Sequence, residues 1–328
     1  MNSPGAGASG EDDLIARYFR PLASDPGAFG LTDDAAILKS SGDDFVVTAD
    51  AIVEGVHFLA GDPPDTIARK SLRVNLSDLA AKGATPVVFV LTLALREARE
   101  AWLAPFAKAL GEDIETFQCP LLGGDTVSTP GPITISITAF GRVPPGKMVR
   151  RHGAKPGDKI AVTGTIGDAA LGLRLLKGGL NCEGAVKNSL ADRYRVPQPR
   201  NAIAMAIRNY ASAAMDVSDG LAGDLAKLCK ASGVSALIDV SSIPLSDAAR
   251  KLLASGQVGI EDLVSGGDDY ELLCTIPENH WNAFSRNAMD AKVAVTAIGS
   301  VAAGDASPAF MGKDGKPIAL KRLSYSHF

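Results

Sequence analysis

Gly153-Ala154-Lys155-Pro156-Gly157-Asp158, followed at once by Lys159-Ile160-Ala161-Val162-Thr163, is the stretch that decides how this chain is built. Two glycines, a proline and an aspartate form a turn-rich connection, and the residues after them restart an apolar, β-branched strand pattern. A domain boundary is therefore expected here, with residues 11–152 as an N-terminal domain and 153–328 as a C-terminal one.

Downstream, helical patterns over Ala169–Lys177, Pro199–Tyr210 and Leu221–Ala231 alternate with strand patterns over Ala236–Val240, Tyr270–Ile276 and Val293–Ile298. Upstream, Leu14, Ile15, Tyr18, Phe19 and Leu22 share one apolar helical face. Phe45-Val46-Val47-Thr48 reads as a strand that stops at Ala49-Asp50, which puts Asp50 at its carboxyl end. A helix is expected from Asp65 to a C-terminal Gly83, with Pro86 just beyond it, and Asn75 and Asp78 on one face. Strands over Val87–Leu95 and Ile133–Thr138 flank a helix from about Arg99 to Phe117. The fold class is α/β (mixed α+β), with two domains expected to face each other across a cleft that holds the site.

The composition supports a globular reading. Of 328 residues 46% are apolar, enough for two cores, and 33 basic against 37 acidic residues give a net charge of -4. No basic block exists to displace counterions from a nucleic acid, and no apolar run nears the roughly 20 residues that cross a bilayer. Residues 1–10 lack a signal-peptide core and are expected to be a disordered tail, so a cytoplasmic protein is expected, without nucleic-acid or membrane partners. Cys119, Cys182, Cys229 and Cys274 lie far apart and not at metal-ligand spacing.

Five short segments share an acidic character: Gly30-Leu31-Thr32-Asp33-Asp34, Thr48-Ala49-Asp50, Asn75-Leu76-Ser77-Asp78, Gly123-Gly124-Asp125-Thr126 and Asp216-Val217-Ser218-Asp219-Gly220. Singly, each is ordinary turn or cap chemistry. Together they are hard oxygen donors of the kind Mg²⁺ takes, one or two carboxylates per ion with phosphate oxygens completing the shell. Four of the five are expected at loop or strand ends, and Asp78 on a helix face. No G-x-x-x-x-G-K-[ST] loop or protein-kinase motif is present, so any ATP site is of another kind. Gly123-Gly124 would let backbone approach phosphate, Ser218 could donate to a phosphoryl oxygen, and Arg150-Arg151 supply cations, although an arginine pair in a loop is also simply solvated.

In this order the segments resemble the thiamine-monophosphate kinase family, within the superfamily of aminoimidazole ribonucleotide synthetase-like ATP-binding enzymes. The resemblance runs from Leu14-Ile15-Ala16-Arg17-Tyr18-Phe19 through Asp33-Asp34, Val74–Ala81, Gly123–Thr126, Gly153–Asp158, Asp216–Leu221 and Ser265-Gly266-Gly267-Asp268-Asp269-Tyr270-Glu271-Leu272 to Tyr325-Ser326-His327-Phe328. It implies a two-domain aminoimidazole ribonucleotide synthetase-like fold with mixed sheets covered by helices. It also implies transfer of the ATP γ-phosphoryl group to thiamine monophosphate with several Mg²⁺ ions.

Carried over by position, the resemblance makes Asp34, Thr48, Asp50, Asp78, Asp125, Asp216 and Asp219 metal ligands, with the Ala49 carbonyl. Gly124, Asp125, Arg151 and Ser218 would meet ATP, and His57, Asp268 and Tyr325 the thiamine phosphate. Asp50, Asp125 and Arg151 would carry catalysis. The N-terminal domain would bind nucleotide and metal and pair in a homodimer. Thr32, Ala49 and Asp268 depart from the family pattern, Asp268 standing one methylene short of the usual glutamate. Relatives that depend on a reactive cysteine near the N-terminus or at the C-terminus fit poorly, since the first cysteine is Cys119 and the chain ends Ser326-His327-Phe328. A synthetase of the same superfamily and a non-catalytic metal-binding module remain as alternative readings at this point.

Overall fold

The computed structural model describes residues 14–26, 28, 42–320 and 323. The chain divides into two compact units, Met1–Asn75 with Pro86–Arg142, and Leu76–Thr85 with Val143–Phe328.

In the first unit a strand β1 (Asp44–Val53) is followed by helix α1 (Pro64–Ala81), strand β2 (Thr85–Leu95), helix α2 (Glu100–Phe117) and strands β3 (Leu121–Ser128) and β4 (Thr134–Val143). The strands form one sheet in the order β1-β4-β2-β3. β1 runs through Asp50 rather than stopping there, because Ala51-Ile52-Val53 continues the alternation. Along it Phe45, Val47, Ala49 and Ala51 are exposed, while Val46 and Ile52 are buried. β4 alternates as its sequence dictates, with Ile135, Ile137 and Ala139 buried. α2 turns Leu103, Phe106, Leu110 and Ile114 inward, and Trp102 stacks on Phe106. Arg69 and Arg73 of α1 both reach the fully buried Asp113 of α2, Arg73 with two nitrogens at 2.6 and 2.8 Å, which clamps the helices together. The expected helix near the N-terminus is, over its described part, a π-helical turn at Ile15–Phe19 and a 3₁₀ turn at Arg20–Leu22 in which Pro21 interrupts regular α-helical bonding.

The second unit takes the C-terminal end of α1, which stops at Gly83 in a left-handed conformation (φ 69°) where a Cβ would meet Arg208. It then runs β5 (Lys159–Thr163), α3 (Asp168–Leu176), α4 (Gly184–Arg195), α5 (Ala204–Tyr210), β6 (Ala213–Asp216), α6 (Leu221–Ser232), β7 (Ser235–Asp239), α7 (Asp247–Ala254), α8 (Ile260–Val264), β8 (Leu272–Ile276), α9 (Trp281–Asp290), β9 (Val295–Ala302) and β10 (Ala309–Met311). Six strands lie in the order β10-β7-β9-β5-β8-β6. β10 and β7 are parallel, and β5 is antiparallel to both β8 and β9. Ile160 and Val162 face a core with Leu221, Leu225 and Leu228 of α6, whereas Ala161 faces Ile207, Phe284 and Ala288 of α5 and α9. A sheet covered on both faces explains why β5 and β8 read as apolar runs without alternation. The mixed sheets covered by helices match the expected fold. Pro199–Tyr210 is shorter than its pattern, a 3₁₀ turn at Asn201–Ile203 leading into α5, and α4 was not foreseen.

Candidate functional site

In the first unit Thr48 and Asp50 are half-buried on the side of β1 that also carries Val46 and Ile52, while the Ala49 side chain is exposed. The fully buried Asn75 of α1 fixes the strand here: its Oδ1 accepts from the Asp50 backbone N–H at 3.1 Å and its Nδ2 donates to the Ser71 carbonyl. An amide is the side chain that can do both at once. His57 closes the turn after β1, its Nδ1 accepting from the Val53 N–H at 3.1 Å, which leaves Nε2 to carry the imidazole proton. The buried Lys70 donates to the His57 carbonyl at 2.8 Å.

Gly124 and Asp125 lie inside β3, not in a turn. The reason is packing: β3 runs parallel to β2 with Leu91 opposite Gly124, and a Cβ at Gly124 would fall 1.8 Å from the Leu91 carbonyl oxygen. Asp125, opposite Thr92, is exposed.

In the second unit Asp216 ends β6 and is 7% exposed. Val217, Ser218 and Asp219 lead to Gly220, whose φ of 115° lets the chain turn into α6. Segment 265–271 lies against this loop. The Asp268 N–H donates to the Ser218 carbonyl, the Tyr270 N–H to the Val217 carbonyl, and the Val217 N–H to the Glu271 carbonyl, all at 2.8 Å. Asp268 and Tyr270 hold positive φ, 71° and 49°, a conformation that non-glycine residues keep only when their surroundings enforce it.

The next residue, Glu271, is fully buried. It accepts from Arg193 Nη2 at 2.9 Å, from Arg200 Nε at 2.6 Å and Nη2 at 2.5 Å, and from Thr163 Oγ1 at 2.6 Å. Beside it the buried Asp269 accepts from the Gly167 and Ala169 N–H groups at the start of α3. Burial pushes its carboxyl up to about 8, against the lowering influence of Arg193.

A second group invisible at the outset is Lys82, four residues after Asp78. Its Nζ donates to the Ala214 carbonyl at 3.0 Å, while the Ala214 N–H donates to the Arg150 carbonyl. Burial lowers the Lys82 pKa, Asp216 and Asp78 oppose that, and Arg151 adds to it. Asp78, Asp216 and Arg151 are thus gathered around one lysine. Lys82 follows the last residue of α1, its N–H still donating to the Asp78 carbonyl at 3.0 Å, so the i, i+4 spacing of Asp78 and Lys82 was the sequence signal available.

Asp34 and Tyr325 fall outside the described residues. Thr48, Ala49, Asp50, His57, Gly124 and Asp125 belong to the first unit; Asp78, Arg151, Asp216, Ser218, Asp219 and Asp268 to the second. β1 and β3 are the outer strands of their sheet, three strand spacings or about 14 Å apart, so Asp50 and Asp125 are not brought together by strand pairing. Among the described residues no group of three His, Cys, Asp or Glu side chains is arranged to hold a metal. The candidate donors are oxygens alone, supplied one or two at a time, which suits Mg²⁺ sharing its shell with phosphate and water and does not suit zinc. The buried thiols take no part: burial pushes Cys119 and Cys274 up to about 12 and Cys229 up to about 11.

Family models covering most of both units put this fold in the aminoimidazole ribonucleotide synthetase-related class. Residues 32–143 match the family described as AIR synthase related protein, N-terminal domain, and residues 155–310 its C-terminal domain. Thiamine-monophosphate kinase of Caulobacter vibrioides is 43% identical over 99% of this chain and 93% of its own length. The crystal structure of thiamine-monophosphate kinase from Stenotrophomonas maltophilia K279a is 39% identical, covers 94% of this chain and 96% of its own, and superposes with a TM-score of 0.83. AaThiL complexed with AMPPCP and TMP is 32% identical over 100% of this chain and 99% of its own, with a TM-score of 0.77. The chain belongs to the thiamine-monophosphate kinase family.

Proposed function

We propose that the chain transfers the γ-phosphoryl group of ATP directly to the phosphate of thiamine monophosphate, giving thiamine diphosphate and ADP. The observation that carries this reading is similarity along the whole chain to thiamine-monophosphate kinases. Mg²⁺, when bound, supplies charge neutralisation at the phosphoryl oxygens and aligns the attacking and leaving groups. Asp34, Thr48, the Ala49 carbonyl, Asp50, Asp78, Asp125, Asp216 and Asp219 would hold it.

Gly124 would meet ATP through its backbone, Ser218 offers a hydroxyl, and Arg151 adds positive charge against the repulsion of two anions. His57, with Nε2–H as donor, Asp268 and Tyr325 would hold thiamine monophosphate. No general base is required, since a phosphate monoester with a second pKa of about 6 is already largely dianionic at neutral pH. Asp50, Asp125 and Arg151 are the residues on which turnover would depend most.

The working partner is a second copy of the chain. The exposed Phe45, Val47, Ala49 and Ala51 side of β1 is the kind of apolar surface that pairing covers. The functional division assigns 11–152 to nucleotide, metal and dimer contacts and 153–328 to the C-terminal α/β domain. A cytoplasmic enzyme is consistent with the finding that no helix among the described residues is long and apolar enough to cross a membrane. Incubation with ATP, Mg²⁺ and thiamine monophosphate should give equimolar ADP and thiamine diphosphate, with EDTA abolishing both. ATP consumption that ignores thiamine monophosphate would exclude the proposal.

A further inference from the structure

Helix α6 carries an ion-pair ring that the sequence reading did not include. Lys227 Nζ lies 2.5 Å from Asp219 Oδ2 and 2.8 Å from Asp224 Oδ1, and the other oxygen of Asp224 accepts the Asp219 backbone N–H at 2.9 Å. The partners differ in access. Asp224 is fully buried, with both oxygens engaged within the ring, whereas the Lys227 and Asp219 side chains are 40% and 33% exposed. Spacing explains the ring: Asp224 and Lys227 are neighbours on one helix face, and the lysine stem is long enough to reach back past Gly220.

We propose that Lys227 is a built-in competitor for the cation at Asp219, raising the Mg²⁺ concentration needed to fill that position. This rests on the reading of Asp219 as a metal ligand. Lys227 holds Asp219 Oδ2, and its ammonium repels a divalent ion at the same carboxylate, so a cation that takes that oxygen displaces Lys227. The displaced ammonium keeps its contact with Asp224, so the buried carboxylate stays paired and the exchange costs little structure. Lys227 is therefore a positioning residue, holding the Ser218–Gly220 loop through Asp219 until a cation replaces it.

The test is a Mg²⁺ titration of the thermal unfolding midpoint in the full chain, checked by calorimetric titration, for the parent, Lys227→Met, Lys227→Gln and Asp219→Asn. Lys227→Gln retains a neutral donor for Asp224 should the methionine variant fold poorly. The expected result is a half-saturating Mg²⁺ concentration at least threefold lower in Lys227→Met or Lys227→Gln, and higher in Asp219→Asn. If Asp219→Asn weakens Mg²⁺ but neither lysine variant tightens it, the competitor role is wrong while the ligand reading survives. If Asp219→Asn titrates like the parent, the ligand reading itself fails and the proposal with it.

Discussion

Replacing Glu271 by glutamine keeps the volume of the side chain and removes its charge. In the structure each carboxylate oxygen accepts two donors, Oε1 from Arg193 and Arg200 and Oε2 from Arg200 and Thr163. Whichever way the amide is turned, its NH₂ faces two donors, and the arginines, with side chains 16% and 22% exposed, lose their counter-ion. Removing one partner of a buried pair costs about 3–5 kcal/mol. With a urea slope of about 3 kcal/mol/M, the unfolding midpoint should fall by about 1 M or more. Turnover should fall too, because Glu271 anchors the strained Asp268–Tyr270 backbone and, through it, the Ser218 loop. Glu97→Gln, in an exposed pair with Arg99, is the control and should shift stability by under about 0.5 kcal/mol. A Glu271→Gln midpoint indistinguishable from the control would refute the reasoning.

Asp50→Asn and Asp125→Asn should each abolish phosphoryl transfer while leaving the far-UV circular dichroism unchanged; near-normal turnover in both would remove them from the metal site. His57→Ala and Tyr325→Ala should raise the KM for thiamine monophosphate more than threefold and that for ATP less than twofold, and equal losses would place them elsewhere. For Asp269 the folded-state pKa is raised, so the carboxyl stabilises the fold most in its protonated form. Its contribution is full below the ordinary carboxylate range near 4 and is lost as pH rises through about 8. Unfolding free energy should decline by up to about 1.4 kcal/mol per pH unit across that window, and Asp269→Asn should flatten the decline, as denaturation at several pH values would show.

Much of the fold was legible because it is locally encoded. The turn at Gly153–Asp158, the α1 stop at Gly83 and the β4 alternation each carry their signal within a few residues. Asp50 and Asp125 were misplaced for opposite reasons. At Asp50 the strand pattern continued through Ala51-Ile52-Val53, and at Asp125 a glycine pair that usually marks a turn lies within β3, where Gly124 marks the close approach of β2. The Glu271 network could not be read in advance, since its arginines lie 71 and 78 residues away and only the folded backbone joins them. Lys227 was nearer at hand, but helical spacing alone does not tell a solvated lysine from one drawn back onto Asp219.

Direct transfer is tested most simply with ATP labelled in its γ-phosphoryl group. The label should appear in the terminal phosphate of thiamine diphosphate, in step with ADP, with none on the protein. Label recovered on the chain, or as inorganic phosphate with thiamine monophosphate unchanged, would contradict it.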